Sequence, residues 1–196
     1  MCIRDSTNCE EVELFVNGKS FGRKVKGKDL TKLIVKFNRY PKDHFMSKYR
    51  LSWEVPYSPG SIRVVAYTDG KPVVEKTIHT AGEPAKIRLT PDRETIVAGK
   101  RDLSYVTVRI EDKDGNLCPR AENLVRFKVT GAGSIAAVGN GNASTTEPFI
   151  ASKHKAFSGM CMLIVKSAGE AGKIEIVAES DGIESTQSTL TVSDGE

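Results

Sequence analysis

Apolar and polar residues alternate along most of this chain with a period of two, the mark of strands with one buried face. Val12, Leu14 and Val16 share one phase; Glu11, Glu13 and Phe15 share the other. Asn17-Gly18 follows, a strong hairpin signal, because a type I′ turn needs φ > 0 at both central residues. The return strand runs from Ser20 to Lys26. Leu33, Val35 and Phe37 form one face of a third strand, and Asn38 to Lys48, with Pro41 and mixed charges, reads as a loop. Leu51, Trp53 and Val55 alternate with Arg50, Ser52 and Glu54. Beyond the turn Pro56–Gly60, a strand carries Ile62, Val64 and Ala66, Asp69-Gly70 makes the next hairpin turn, and Val73–Ile78 closes the first unit.

His79 to Asp92 reads as a joint. Gly82, Pro84 and Pro91 surround the short apolar pair Ile87 and Leu89. Proline forces an extended chain and removes a backbone donor. The strand after Pro84 opens the second unit. There Val106, Val108 and Ile110 alternate with Thr107, Arg109 and Glu111, and Asp112–Pro119 is a turn. Val125, Phe127 and Val129 mark the next strand, and Gly131–Asn142, rich in Gly and Asn, holds a short strand Ile135–Val138. Met160–Ser167, Lys173–Glu179 and Glu184–Val192 are the last three. No segment has a helical period. Strands of about 5–9 residues with a turn every 8–12 predict an all-β chain of two consecutive Ig-like antiparallel β-sandwiches, residues 7–82 and 83–196. Residues 1–6, Met-Cys-Ile-Arg-Asp-Ser, do not join the pattern and read as a translated leader artefact outside the fold.

The length of 196 residues fits two domains of about 100 each. Lys and Arg outnumber Asp and Glu by 15 to 9 over residues 1–82 and are outnumbered 14 to 16 over residues 83–196. A basic first half raises the question of nucleic acid or an acidic polysaccharide. Lys19, Lys24, Lys26, Lys28, Lys32 and Lys36 are instead scattered along alternating strands, as on a solvated sheet face, and no nucleic-acid partner is expected. No run approaches the ~20 apolar residues of a membrane span, and Met1–Ser6 lacks the apolar core of a signal peptide.

Cys2, Cys9, Cys118 and Cys161 show no C-x-x-C and no His at ligand spacing, so no metal is expected. Three disulfide connectivities remain open. Cys161 lies in the apolar strand Met-Cys-Met-Leu-Ile-Val and reads as a buried thiol. His44, His79 and His154 are far apart in sequence and mark no site by themselves.

Asp112-Lys-Asp-Gly-Asn116 resembles part of a calcium loop, but Gly115 comes one residue early and the distal Glu is missing, so a hairpin turn is expected. Gly139-Asn140-Gly141-Asn142 offers backbone donors to a phosphate, yet no helix follows it, and it reads as a loop that needs φ > 0. Asn142-Ala-Ser144 fits a glycosylation sequon. Trp53, with Tyr49 and Tyr57 nearby, suggests a sugar-stacking platform. Its shared phase with Leu51 and Val55 assigns it to the core. The acids sit on exposed phases or in turns and mark no carboxylate pair of the kind glycoside hydrolysis uses. No catalytic residue and no cofactor is expected.

Two stretches are more specific than the fold. The first is Cys9-Glu-Glu-Val-Glu-Leu-Phe-Val-Asn-Gly-Lys-Ser-Phe-Gly-Arg-Lys24, with Trp53-Glu-Val-Pro-Tyr57 and Pro59-Gly60 downstream. It resembles the sandwich domain that follows the catalytic barrel in glycoside hydrolase family 2 β-galactosidases. The second is Gly139-Asn-Gly-Asn-Ala-Ser-Thr-Thr-Glu-Pro-Phe149, then His154-Lys-Ala-Phe157 and Gly159. It resembles the C-terminal Ig-like domain of the same enzymes in Bacteroidetes. The resemblance covers nearly all of residues 7–193. It implies a periplasmic or secreted enzyme that removes terminal β-galactosyl or related residues from glycans, with two catalytic glutamates on a (β/α)8 barrel of about 250 residues. None of that barrel is in this chain, so no catalytic residue carries over. The resemblance therefore implies a non-catalytic accessory region whose partner is the barrel. Asn140, Asn142, Glu147, Phe149 and His154 are the candidates for contact with the barrel or a glycan. A carbohydrate-binding module and an adhesin-like Ig array are the alternatives.

Overall fold

The computed structural model describes residues 1–29, 50–99 and 102–195. The chain is all-β, and it divides into two compact units between Thr80 and Ala81.

The first unit contains β1 (Cys2–Ser6), β2 (Glu11–Val16), β3 (Lys19–Val25), β4 (Arg50–Glu54), β5 (Ser61–Thr68) and β6 (Lys71–His79). Four strands form an antiparallel sheet in the order β3-β2-β5-β6, and β1 pairs antiparallel with β4. The alternation along β2 does what its phase predicts: Val12, Leu14 and Val16 are buried together with Leu51, Trp53, Val55 and Ala66. Asn17 (φ 50°) and Gly18 (φ 80°) make the β2–β3 turn, both in the left-handed region. Asn17 also ties down a second loop, accepting from Ser61 N at 2.8 Å and donating to Pro59 O at 3.0 Å. The third strand expected at Leu33–Phe37, the loop after it and Tyr49 lie outside the described residues.

One expectation is corrected. Residues 2–6 do not stand outside the fold: they are β1, with Ile3 opposite Trp53 and packed against the same apolar cluster. A five-residue strand with a single large apolar side chain carries too little alternation to be recognised without its partner.

The second unit contains β7 (Lys86–Pro91), β8 (Thr95–Val97), β9 (Leu103–Glu111), β10 (Leu124–Gly131), β11 (Gly133–Gly139), β12 (Lys153–Lys155), β13 (Met160–Ser167), β14 (Gly172–Glu179) and β15 (Thr186–Ser193). One sheet runs β12-β10-β14-β15-β8 and the other β11-β13-β9-β7. Their inner faces share one core. Val106, Val108, Leu163 and Val165 come from one sheet, and Phe127, Ile174, Ile176 and Leu190 from the other. The pairing is antiparallel except between β8 and β15, which run parallel. β8 and β12 have three residues each, and only their partners define them as strands.

The turn after β9 is held by one carboxylate. Asp112 accepts from Gly82 N (2.8 Å) and Asn116 Nδ2 (3.0 Å) on Oδ2, and from Asp114 N (3.0 Å) and Asn116 N (2.8 Å) on Oδ1. The Gly82 amide, with these further donors, lowers its pKa to about 2 from 3.8. The carboxylate is thus committed to hydrogen bonds within the protein rather than to calcium. A depressed folded-state value means that the stabilisation is present above the unfolded value and is lost as pH falls towards 2. Urea midpoints of the second unit should therefore drop between pH 4 and pH 2.5. In Asp112→Asn, which puts an amide donor among donors, the midpoint at pH 7 should already be lower and its fall with acid shallower. Parallel pH profiles for the two proteins would contradict this role.

Candidate functional site

At the end of β11 the chain leaves the sheet at Gly139, forms a loop, and returns as β12 beside β10, with His154 opposite Val125. The loop bonds to itself. Asn140 Nδ2 donates to Lys155 O (3.0 Å) and its Oδ1 accepts from Asn142 N (2.9 Å). Asn142 Oδ1 accepts from Ser144 N (3.0 Å), and Thr145 Oγ1 from Glu147 N (3.3 Å). Glu147 Oε2 accepts from Lys155 N (3.2 Å) and lies 3.4 Å from His154 Nδ1. His154 is fully buried, and its Nδ1 also lies 3.1 Å from Lys155 O. Both neighbours of Nδ1 are acceptors, so the tautomer protonated there fits the site. His154 Nε2 is buried without a partner. The His154 ring stacks on Phe149 at 6.4 Å between centroids and 16° between planes.

The structure therefore joins Glu147, Phe149 and His154 in direct contact and ties Asn140 to the same strand. Asn142 serves its own turn. These polar groups brace the loop, and the braced loop holds Phe149 with 59% of its surface exposed.

Beside Phe149 lies a groove of about 680 Å³. Its walls are Phe149 and Phe157, and Met160, Met162, Ile164 and Ala137 line it from neighbouring strands. The polar side chains around it are Thr107 and Asn140. Asn140 and Phe157 also border a smaller cleft of about 270 Å³, lined by Glu122, Asn142, Ser144, Thr145, Thr146 and Glu147 among others. Cys161 reaches the groove, but burial pushes its thiol up to about 12, which keeps it protonated and unreactive at neutral pH. Cys9, Cys118 and Cys161 are free thiols. Among the described residues no group of three His, Cys, Asp or Glu is placed to hold a metal ion. The arrangement offers apolar contact area rather than an ionised nucleophile.

The groove-lining residues Met160, Met162 and Ile164 are absent from the sequence candidates. Their signal was present: Met160–Val165 is apolar in both phases, which in a strand means that both faces are covered.

Trp53, the other aromatic candidate, is only 3% exposed and sits in the core of the first unit. Tyr57 is exposed there.

The profile of the glycoside hydrolase family 2 C-terminal domain 5 matches residues 87–189. That of a domain of unknown function, DUF4982, matches residues 4–74, a span that begins inside β1. The β-galactosidase BoGH2A of Bacteroides ovatus is 46% identical over 184 residues, covering 94% of this chain and 19% of that protein. A β-galactosidase of Thermoanaerobacter pseudethanolicus is 31% identical over 178 residues, covering 89% of this chain and 21% of that protein. The crystal structure of a glycosyl hydrolase family 2 member from Bacteroides cellulosilyticus superposes with a TM-score of 0.82 at 34% identity, over 97% of this chain and 24% of that one. The chain spans 19% and 21% of the length of these two curated relatives.

Proposed function

The chain belongs to the glycoside hydrolase family 2 C-terminal domain 5 family, and from that premise we propose that it is the non-catalytic accessory region of a β-galactosidase acting on terminal β-galactosides. The observation that carries this reading is the 46% identity, across 94% of the chain, to a β-galactosidase of which it covers 19%. Catalysis then belongs to a barrel elsewhere in the same polypeptide. The protonated Cys161 and the self-bonded Asn140–Glu147 loop agree with a supporting role. On the implied resemblance, the whole enzyme works in the periplasm or outside the cell.

A direct comparison tests the reading. The 196-residue chain should give background rates on chromogenic β-galactosides, while the full-length polypeptide turns them over. Turnover by the chain alone that disappears when one of its own carboxylates is removed would overturn it.

The exposed rings of Phe149 and Phe157 favour a second reading, a carbohydrate-binding module, since exposed aromatic faces stack on sugars. Calorimetry with galactosides separates the two. Heat of binding that is lost in Phe149→Ala supports the module; no heat supports the accessory role.

A further inference from the structure

The two sheets of the second unit have outer faces of opposite character. On β10 and β14 most of the outward residues are charged: Arg126, Lys128, Lys173, Glu175 and Glu179 are all exposed, with Val177 and Thr130 in the same phases. That is the usual face of an antiparallel sheet in water. On the other sheet, the outward residues of β13 are Met160, Met162 and Ile164, and only Lys166 at the far end is charged. Strand pairing lays Met162 and Ile164 beside further uncharged groups, while Met160 stands opposite Arg109, whose guanidinium pairs with Glu111 at 3.2 Å. Ile164 stands between Tyr105 and Ala137, and Met162 between Thr107 and Gly139. Phe149 and Phe157 continue the patch at one end. Four of the large apolar residues most exposed among those described, Tyr105, Phe149, Phe157 and Met162, thus belong to one surface. A contiguous apolar patch of this kind on an otherwise charged domain marks a contact surface.

We infer that this face, the outward side of β11, β13 and β9 with Phe149 and Phe157 at its end, is where the second unit docks onto the catalytic portion of the same enzyme polypeptide. The inference rests on the accessory reading above and names the surface that reading requires. Three observations select this occupant. The groove lacks charge, so it complements an apolar protein surface rather than an ionic partner. A sugar needs several fixed donors and acceptors for its hydroxyls. The groove supplies Thr107 and Asn140, and the Asn140 amide is already committed to Lys155 O and Asn142 N. Finally, the two curated relatives run to about five times the length aligned here. A surface tethered in the same polypeptide meets the groove at an effective concentration that a free partner rarely reaches.

Cysteine footprinting in the full-length enzyme tests the docking. Met162→Cys places a thiol on the proposed contact, and Thr189→Cys places one on the exposed face of β15. Both are labelled with a maleimide under native conditions and quantified by peptide mass spectrometry. Docking predicts labelling at residue 162 at least ten-fold slower than at residue 189, with equal rates once the enzyme is unfolded in urea. The protection should persist on dilution and without sugar. Equal native rates would overturn the inference. Protection that disappears on dilution would assign the face to a second copy, and protection that appears only with a galactoside would assign it to a glycan; either result also overturns it. Turnover of a β-galactoside is measured on the same preparations. An active enzyme with an unprotected residue 162 sinks the docking surface alone, whereas an inactive wild-type full-length enzyme sinks the accessory reading itself.

Discussion

Replacing Trp53 by Ala should lower the stability of the first unit by about 3–5 kcal/mol, the range for emptying a buried aromatic site. Trp53 lies on β4 between the cluster built on β2 and the short strand β1, whose Ile3 stands opposite it. Its indole Nε1 donates to Gly22 O at 3.1 Å, and Lys24 Nζ lies 5.3 Å from the ring while donating to Ser52 O at 2.6 Å. The ring therefore links β3, β4 and β1 at one point. Truncation removes its packing and leaves the Gly22 carbonyl without this donor, and β1 loses the side chain opposite its one packed isoleucine. Trp53→Phe keeps most of the apolar volume but not the donor, so it should cost about 1–2 kcal/mol. Urea unfolding followed by far-UV circular dichroism reads both values. If Trp53→Ala leaves the midpoint in place while weakening affinity for galactosides, the ring is a ligand platform after all.

Much of the fold was legible in the sequence wherever a strand has two clear phases and a turn residue beside it. Glu11–Val16 followed by Asn17-Gly18 is such a case, and its buried residues are the ones its phase selects. Legibility failed where a strand is defined by its partner. β1 has one packed apolar residue and a partner far along the chain, and β8 and β12 are three residues long. The candidate loop shows a different limit. Asn140, Asn142 and Glu147 looked available because composition shows donors and acceptors but not their pairing, and folding commits each of them to the loop itself. The apolar face was hidden for the opposite reason. Met160–Val165 reads as simply buried, and only the sheet separates Cys161, Leu163 and Val165, which face the core, from Met160, Met162 and Ile164, which face out.

Gly159 joins the groove to the core, and its substitution should be far costlier than that of Gly141, although both lie at positive φ. Gly159 has φ 78°, Ser158 before it has φ 52°, and the flanking Phe157 and Met160 exchange backbone hydrogen bonds of 2.8 and 3.1 Å. This is the two-residue turn that sets Phe157 and Met160 against the groove. Its backbone is pinned on both sides, because Gly159 N donates to Ala121 O at 3.0 Å and its carbonyl accepts from Ile110 N at 2.8 Å. A Cβ at this position would overlap the carbonyl oxygen of Cys118 and crowd Leu117 Cδ1. The turn cannot relax away from that clash without giving up one of its two anchoring bonds. At Gly141, with φ 73°, a Cβ would meet nothing within 4 Å, so only the backbone preference is at stake. Gly141→Ala should therefore cost about 1 kcal/mol, the left-handed penalty alone. Gly159→Ala should cost about 3 kcal/mol, because the overlap and a lost hydrogen bond add to that penalty. Urea midpoints of the two variants decide the matter. Equal losses would mean that the Cys118 carbonyl yields freely and that the turn is not a fixed anchor for the groove.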